Sequence, residues 1–167
     1  VCLCCRILRY NNLQASSFPI YRGRGSFWIS QSMNERDERC RRIPHSGSMC
    51  LLDRVLEWDN KTIICEAVSH RDKGNPLSCD GALSSVVAIE YGAQATSVHG
   101  SLLGAKDERT GQASYLAAVR DVEFKVSWLH DIDHPLTVKA ERLIDDANGI
   151  IYRFSLYADC WYRGGLR

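Results

Sequence analysis

No apolar run in this chain approaches the roughly 18 residues of a membrane span, and the N-terminus lacks the continuous apolar stretch of a signal peptide. The eight cysteines offer one C-x-x-C spacing, Cys2-Leu3-Cys4-Cys5, and no second pair to complete a ligand set, so a zinc site of the usual spacing is not expected. The cysteines are scattered and nothing else points to secretion, so they read as free thiols in a reducing cytosol. The net charge of +1 carries no bulk basic signal for nucleic acid. Lysine is absent before Lys61, whereas residues 1–42 hold eight arginines and three acids. That stretch has no sustained helical or strand period. It reads as a basic unstructured arm, or as translated sequence upstream of the domain's true start. One domain remains, of ordinary globular composition, over about 43–159.

The most informative segment is Leu83 to Leu103, LSSVVAIEYGAQATSVHGSLL. It reads as a helix apolar nearly all round, which belongs inside a domain. Ser84 or Ser85 is placed to cap it. Small residues such as Gly92, Ala93 and Ala95 allow a sheet to pack closely. Glu90 and Gln94 interrupt the apolar surface and share one face, four residues apart. A buried carboxylate is costly unless it is paired or put to use, so Glu90 is a candidate active-site group. The bland alternative is a glutamate reaching the domain edge.

Before the helix, Met49 to Trp58 and Thr62 to Ser69 read as extended segments joined by the Asp59-Asn60-Lys61 turn. His70 to Gly81 is a loop. After the helix come a polar loop and three strand candidates: 113–127, Leu136 to Asp145, and Ile150 to Ala158. Asn148-Gly149 makes the hairpin turn between the last two. The expected class is α+β, an antiparallel sheet curled around one long helix.

With these motifs in that order, the chain resembles the hot-dog fold of 3-hydroxyacyl-acyl-carrier-protein dehydratases. Ile43-Pro44-His45 with Met49-Cys50-Leu51-Leu52-Asp53-Arg54-Val55 is similar to their opening motif. Ile89-Glu90-Tyr91-Gly92-Ala93-Gln94-Ala95 is similar to their central-helix motif, in which the acid is catalytic. Asn75-Pro76-Leu77, Gly81 and Val98-His99-Gly100 further resemble a bacterial subfamily of hot-dog dehydratases found with aryl polyene-type fatty-acid gene clusters. The chain departs from the housekeeping enzymes twice. Their catalytic loop histidine lies some fourteen residues before the acid, where this chain has Pro76. Their final strand is replaced by an irregular tail over 160–167.

The resemblance implies elimination of water from a 3-hydroxyacyl thioester. That chemistry needs an acid, a base and donors for the thioester oxygen, and asks for no cofactor and no metal. Glu90 suits the acid. Gln94 would orient it or hold a water, and the backbone N–H groups at Leu83 to Val86 suit an oxyanion hole. For the base, His70 and His45 are the candidates. His99, nine residues past Glu90, faces half a turn away. His130 and His134 sit in an Asp-rich turn and read as a solvated loop. Val86, Tyr91 and Phe124 would line the acyl tunnel, and Asn75 joins them as a substrate-side residue. The implied partners are an acyl carrier protein bearing phosphopantetheine, met by Arg54, Arg71 or Arg120, and a second hot-dog subunit in a homodimer or heterodimer. No membrane or nucleic-acid partner is expected, and the implied location is the cytoplasm. A thioesterase of the same fold and a non-catalytic hot-dog subunit are the alternatives.

Overall fold

The structure, a computed structural model, describes residues 2–11, 47–104, 114–146 and 149–158, with 2–11 and 114–117 given as backbone. Strands β1 (Cys2–Asn11), β2 (Arg54–Trp58), β3 (Thr62–Ala67), β4 (Ser114–Glu123), β5 (Leu136–Asp146) and β6 (Gly149–Tyr157) form one sheet, with helix α1 (Ala88–Gly104) between β3 and β4. The spatial order is β2-β3-β5-β6-β1-β4, and every pair is antiparallel. This is the expected α+β arrangement, packed on one long helix.

Alternation decides which strand face meets the helix. Ile63, Cys65 and Ala67 of β3 point inward, as do Leu136, Val138 and Ala140 of β5 and Tyr152, Phe154 and Leu156 of β6. The helix answers with Tyr91, Ala95, Val98 and Leu102. Full burial of each large side chain contributes about 1.5–3 kcal/mol. Leu51 and Leu52 of the opening motif are core residues, while the Asp53 carboxylate accepts from Val68 N at 2.6 Å and ties that segment to the end of β3.

The expected turn after β2 forms, and the Asn148-Gly149 turn falls partly outside the described residues. Asp59 Oδ1 accepts from Lys61 N and Thr62 N, each at 2.7 Å, closing the β2–β3 hairpin. Asp146 pairs with Gly149, so residues 147–148, outside the described residues, make the β5–β6 connection. The helix opens with a 3-10 turn at Ser85–Val87, whose cap is Ser84: its hydroxyl accepts from Val86 N.

Two expectations need correction. The unstructured stretch foreseen over 1–42 does not describe Cys2–Asn11, which form β1 between β6 and β4. The resemblance places a C-terminal strand beside β6; here that side of β6 is taken from the N-terminal end of the chain. A backbone pairing of this kind can be satisfied by a segment with no apolar alternation, which is why periodicity overlooked it. Residues 12–46, including His45, and the tail 159–167 lie outside the described residues. The second correction concerns the thiols: Cys65 and Cys79 are in no disulfide, but Cys50 is disulfide-bonded.

Candidate active site

Glu90 lies in the first turn of α1, half-buried. Gln94, one turn on, donates from Nε2 to Glu90 Oε1 at 3.0 Å and to Met49 O at 2.8 Å. Its Oε1 accepts from Leu51 N at 2.9 Å. Gln94 is therefore a clamp. Its side chain spans the helix and the 49–51 segment, and the carboxylate of Glu90 is held from one side. The i, i+4 pairing was legible in the sequence; the attachment to the Met49 and Leu51 backbone was not, because the partners lie 43 and 45 residues away.

His70 sits in a 3-10 turn, Ser69–Arg71, immediately after β3, and is 1% exposed. Its Nε2 lies 2.9 Å from Ile132 O, a group that only accepts, so Nε2 carries the hydrogen. In the neutral ring Nδ1 is then an unprotonated lone pair, and it is buried with no hydrogen-bond partner. Desolvation pushes the imidazole below its ordinary range, against the opposing bond to Ile132. A neutral ring with an unoccupied basic nitrogen is what a general base requires. Nε2 is engaged with Ile132, and Nδ1 has no hydrogen-bond partner although the His134 backbone lies close enough to favour the charged ring, so His70 and Glu90 of one chain do not hydrogen-bond to each other.

Around His70 runs a buried polar network that sequence reasoning missed in part. Ser69 Oγ donates to Leu51 O at 2.6 Å and lies 2.8 Å from Tyr91 Oη. Asn75 Nδ2 donates to Ser69 O at 2.9 Å and reaches Tyr91 Oη at 3.4 Å, while Asn75 Oδ1 accepts from Leu77 N. Tyr91 and Asn75 are thus buried, with their polar atoms directed at protein. Nothing in the sequence marked Ser69, since only the fold brings β3's end against α1.

His99 and His130 are structural. His99 Nε2 donates to Asp59 O at 2.8 Å, and Nδ1 lies 2.8 Å from the Tyr152 hydroxyl. It ties the helix to the β2–β3 turn and to β6, away from Glu90 as its spacing indicated. His130 Nδ1 accepts from Leu83 N at 3.0 Å. His134 is exposed. Among the described residues, no three His, Cys, Asp or Glu side chains gather as metal ligands would.

The oxyanion hole expected at Leu83 to Val86 is not available there. Leu83 N goes to His130, Ser85 N to Ser127 O at 2.9 Å, and Val86 N to the Ser84 hydroxyl. The β4–β5 connection folds back over the helix start and satisfies the Leu83 and Ser85 donors, a contact between segments more than forty residues apart. Val86 itself is 57% exposed, and Phe124 and Trp128 are exposed too. Ser85, Ala88, Leu129, Ile132 and Leu136 line a small apolar cavity. Of the arginines considered for a carrier, Arg54 is paired with Glu66, and Arg71 donates to Asp133 O. Arg120 is exposed.

Among the described residues no helix is long and apolar enough to cross a membrane. Among curated proteins, none matches the chain. Its fold is similar to the dehydratase heterocomplex ApeI:P from Xenorhabdus doucetiae, at 20% identity over 74% of this chain and 92% of that one, with a TM-score of 0.56. A family model for ApeP-like proteins, described as ApeP dehydratase, matches residues 40–159. That span takes in the helix with Glu90 and Gln94, the His70 turn and strands β2 to β6, and on it the chain belongs to the ApeP-like dehydratase family, with the hot-dog fold.

Proposed function

We propose that this chain is the dehydratase subunit of a hot-dog pair, removing water from a 3-hydroxyacyl thioester held on an acyl carrier protein. The observation that carries the reading is Glu90, half-buried and aimed by Gln94 in a family of dehydratases. The base is His70, whose Nδ1 lone pair is unoccupied. His70 takes the proton next to the thioester carbonyl. The electron pair of that C–H bond forms the new double bond as the C–O bond at the neighbouring carbon breaks. Glu90 gives its proton to the departing hydroxyl, and water leaves.

The absence of a bond between His70 and Glu90 within one chain supports a site completed across two subunits, Glu90 of one facing His70 of the other. Neither edge strand, β2 nor β4, has a second neighbour among the described residues, and β4 offers the edge on which two sheets would join. The structural relative is a heterocomplex, which supports a second, different hot-dog subunit as the partner here. Val86 and Phe124 make the apolar lip for the acyl chain. The exposed Arg120 faces the acidic carrier. A reaction on carrier-bound acyl groups places the protein in the cytoplasm.

One observation favours a second reading. At 1% exposure His70 is closed to a substrate approaching this chain alone. In that reading the chain is the non-catalytic member of the pair, and its histidine is a packing group.

The test uses the full chain, alone and with any subunit that co-purifies, on a carrier-bound 3-hydroxyacyl thioester followed by mass spectrometry. Loss of one water is expected. Glu90→Gln and His70→Ala should each slow turnover by about a hundredfold or more, with circular dichroism unchanged. Retained activity in both variants of the assembled protein supports the non-catalytic reading, and release of a free acid makes it a thioesterase.

A further inference from the structure

The network beside His70 and the clamp on Glu90 share one residue, Leu51. Ser69 Oγ donates to the Leu51 carbonyl, and the Leu51 N–H donates to Gln94. With the Ser69 hydrogen committed to Leu51 O, the Tyr91 hydroxyl is the donor to Ser69 Oγ. The polarity then runs one way from the histidine turn to the backbone: Asn75 Nδ2 to Tyr91, Tyr91 to Ser69, Ser69 to Leu51 O. On the other side of the same residue, Leu51 N donates to Gln94, and Gln94 Nε2 donates to Glu90. Asn75, Ser69, Tyr91, Leu51 and Gln94 are all buried, so water does not compete for these bonds.

We infer that Tyr91, Ser69 and Asn75 are positioning residues: a buried hydrogen-bonded relay through Leu51 holds the turn carrying His70 and the carboxylate of Glu90 on one frame, so that each is presented correctly to its counterpart across the pair. Tyr91 follows Glu90 in sequence and Ser69 precedes His70, so these two relay members are each covalently next to a reacting group. The geometry thus couples two side chains, His70 and Glu90, that share no direct bond. It also changes what Tyr91 and Asn75 do. Their polar atoms hold the protein together, and the substrate is oriented through them rather than by them. This inference rests on the acid–base assignment to Glu90 and His70.

The decisive variant is Tyr91→Phe, which removes one oxygen from a buried ring and leaves its packing in place. In the assembled protein, kcat should fall by about tenfold to a hundredfold, the scale expected of a small misplacement of reacting groups, with KM within about twofold because no substrate contact is lost. The imidazole nitrogen resonances of His70 in a 15N-labelled sample should shift, while those of His99, held by Tyr152 and Asp59, stay in place. Ser69→Ala should reproduce both effects. The double variant should be no slower than the worse single one, since both break one relay. A Tyr91→Phe protein that melts lower, yet keeps its kcat and its His70 resonances, overturns the inference in favour of plain packing. The resonances also separate this inference from the functional proposal. If wild-type and Glu90→Gln proteins are equally inactive on the thioester but Tyr91→Phe still moves His70, the relay stands and the dehydratase assignment falls.

Discussion

Gly92 lies against the ring of Phe154, one turn along α1 from the start of the site. A Cβ on Gly92 would fall 2.3 Å from Phe154 Cδ2, inside any real contact distance. Two effects of Gly92→Ala oppose each other. Helix propensity improves by about 1 kcal/mol, whereas forcing a methyl into a filled interior costs about 1–3 kcal/mol. Phe154 is itself buried between the helix and the sheet and has nowhere to retreat, so the clash wins. Gly92→Ala is expected to lower stability by up to about 2 kcal/mol net, read as a lower urea midpoint with an unchanged slope. A higher midpoint would mean that the ring moves aside freely. The same closeness brings α1 down onto the sheet and so sets how far Glu90 stands from the strands.

At the scale of elements, β1 is the strand on which the sheet depends. Eight of its residues pair with β6 and seven with β4. It is also the only strand that β4 pairs with among the described residues. Without β1, β6 and β4 each present a row of unpaired N–H and C=O groups, and β4 loses its place in the sheet. A chain beginning at residue 12 is therefore expected to melt at a lower temperature by several degrees or more, a loss of at least about 2 kcal/mol, and to aggregate through its exposed edges. Differential scanning calorimetry with size-exclusion chromatography measures both. Unchanged melting and a single sharp elution peak would show that β1 adds nothing.

For the whole molecule, the two buried histidines set a pH dependence. Burial pushes both His70 and His99 below the ordinary imidazole value of 6.5, because desolvation penalises the charged ring. The unfolded chain therefore takes up these protons at a higher pH than the folded chain does. Their contribution to stability is complete above the unfolded value and is lost as pH falls below about 6.5 toward the depressed folded values. Asp59 acts in the same direction at lower pH: its carboxylate is held below 3.8 by bonds from Lys61 and Thr62. Melting temperature is expected to be flat from about pH 8 to 7 and to decline on further acidification. The decline between about pH 6.5 and 5 should be shallower in His99→Gln, where one of the two imidazoles is gone. Melting that rises through this window would contradict the neutral state of both rings.

Local pattern in the sequence was enough for the core of this fold. The apolar segment with its embedded Glu90 specified a buried helix and period-two alternation specified β5 and β6, because both signals come from which side of one element meets water, while β-branched composition marked β3. The Glu90–Gln94 contact was readable for the same reason: four residues on a helix is a fixed distance. Tertiary structure alone decided the rest. Counting back from Glu90 found Pro76 because a residue count fixes no position across a loop, and it took the fold to bring the His70 turn against Ile132, 62 residues on. The filling of the helix-start donors by Ser127 and His130, the Leu51 link between Ser69 and Gln94, and the capture of Cys2–Asn11 between β6 and β4 are all long-range pairings. Each depends on register and chain path, which no short-range period encodes.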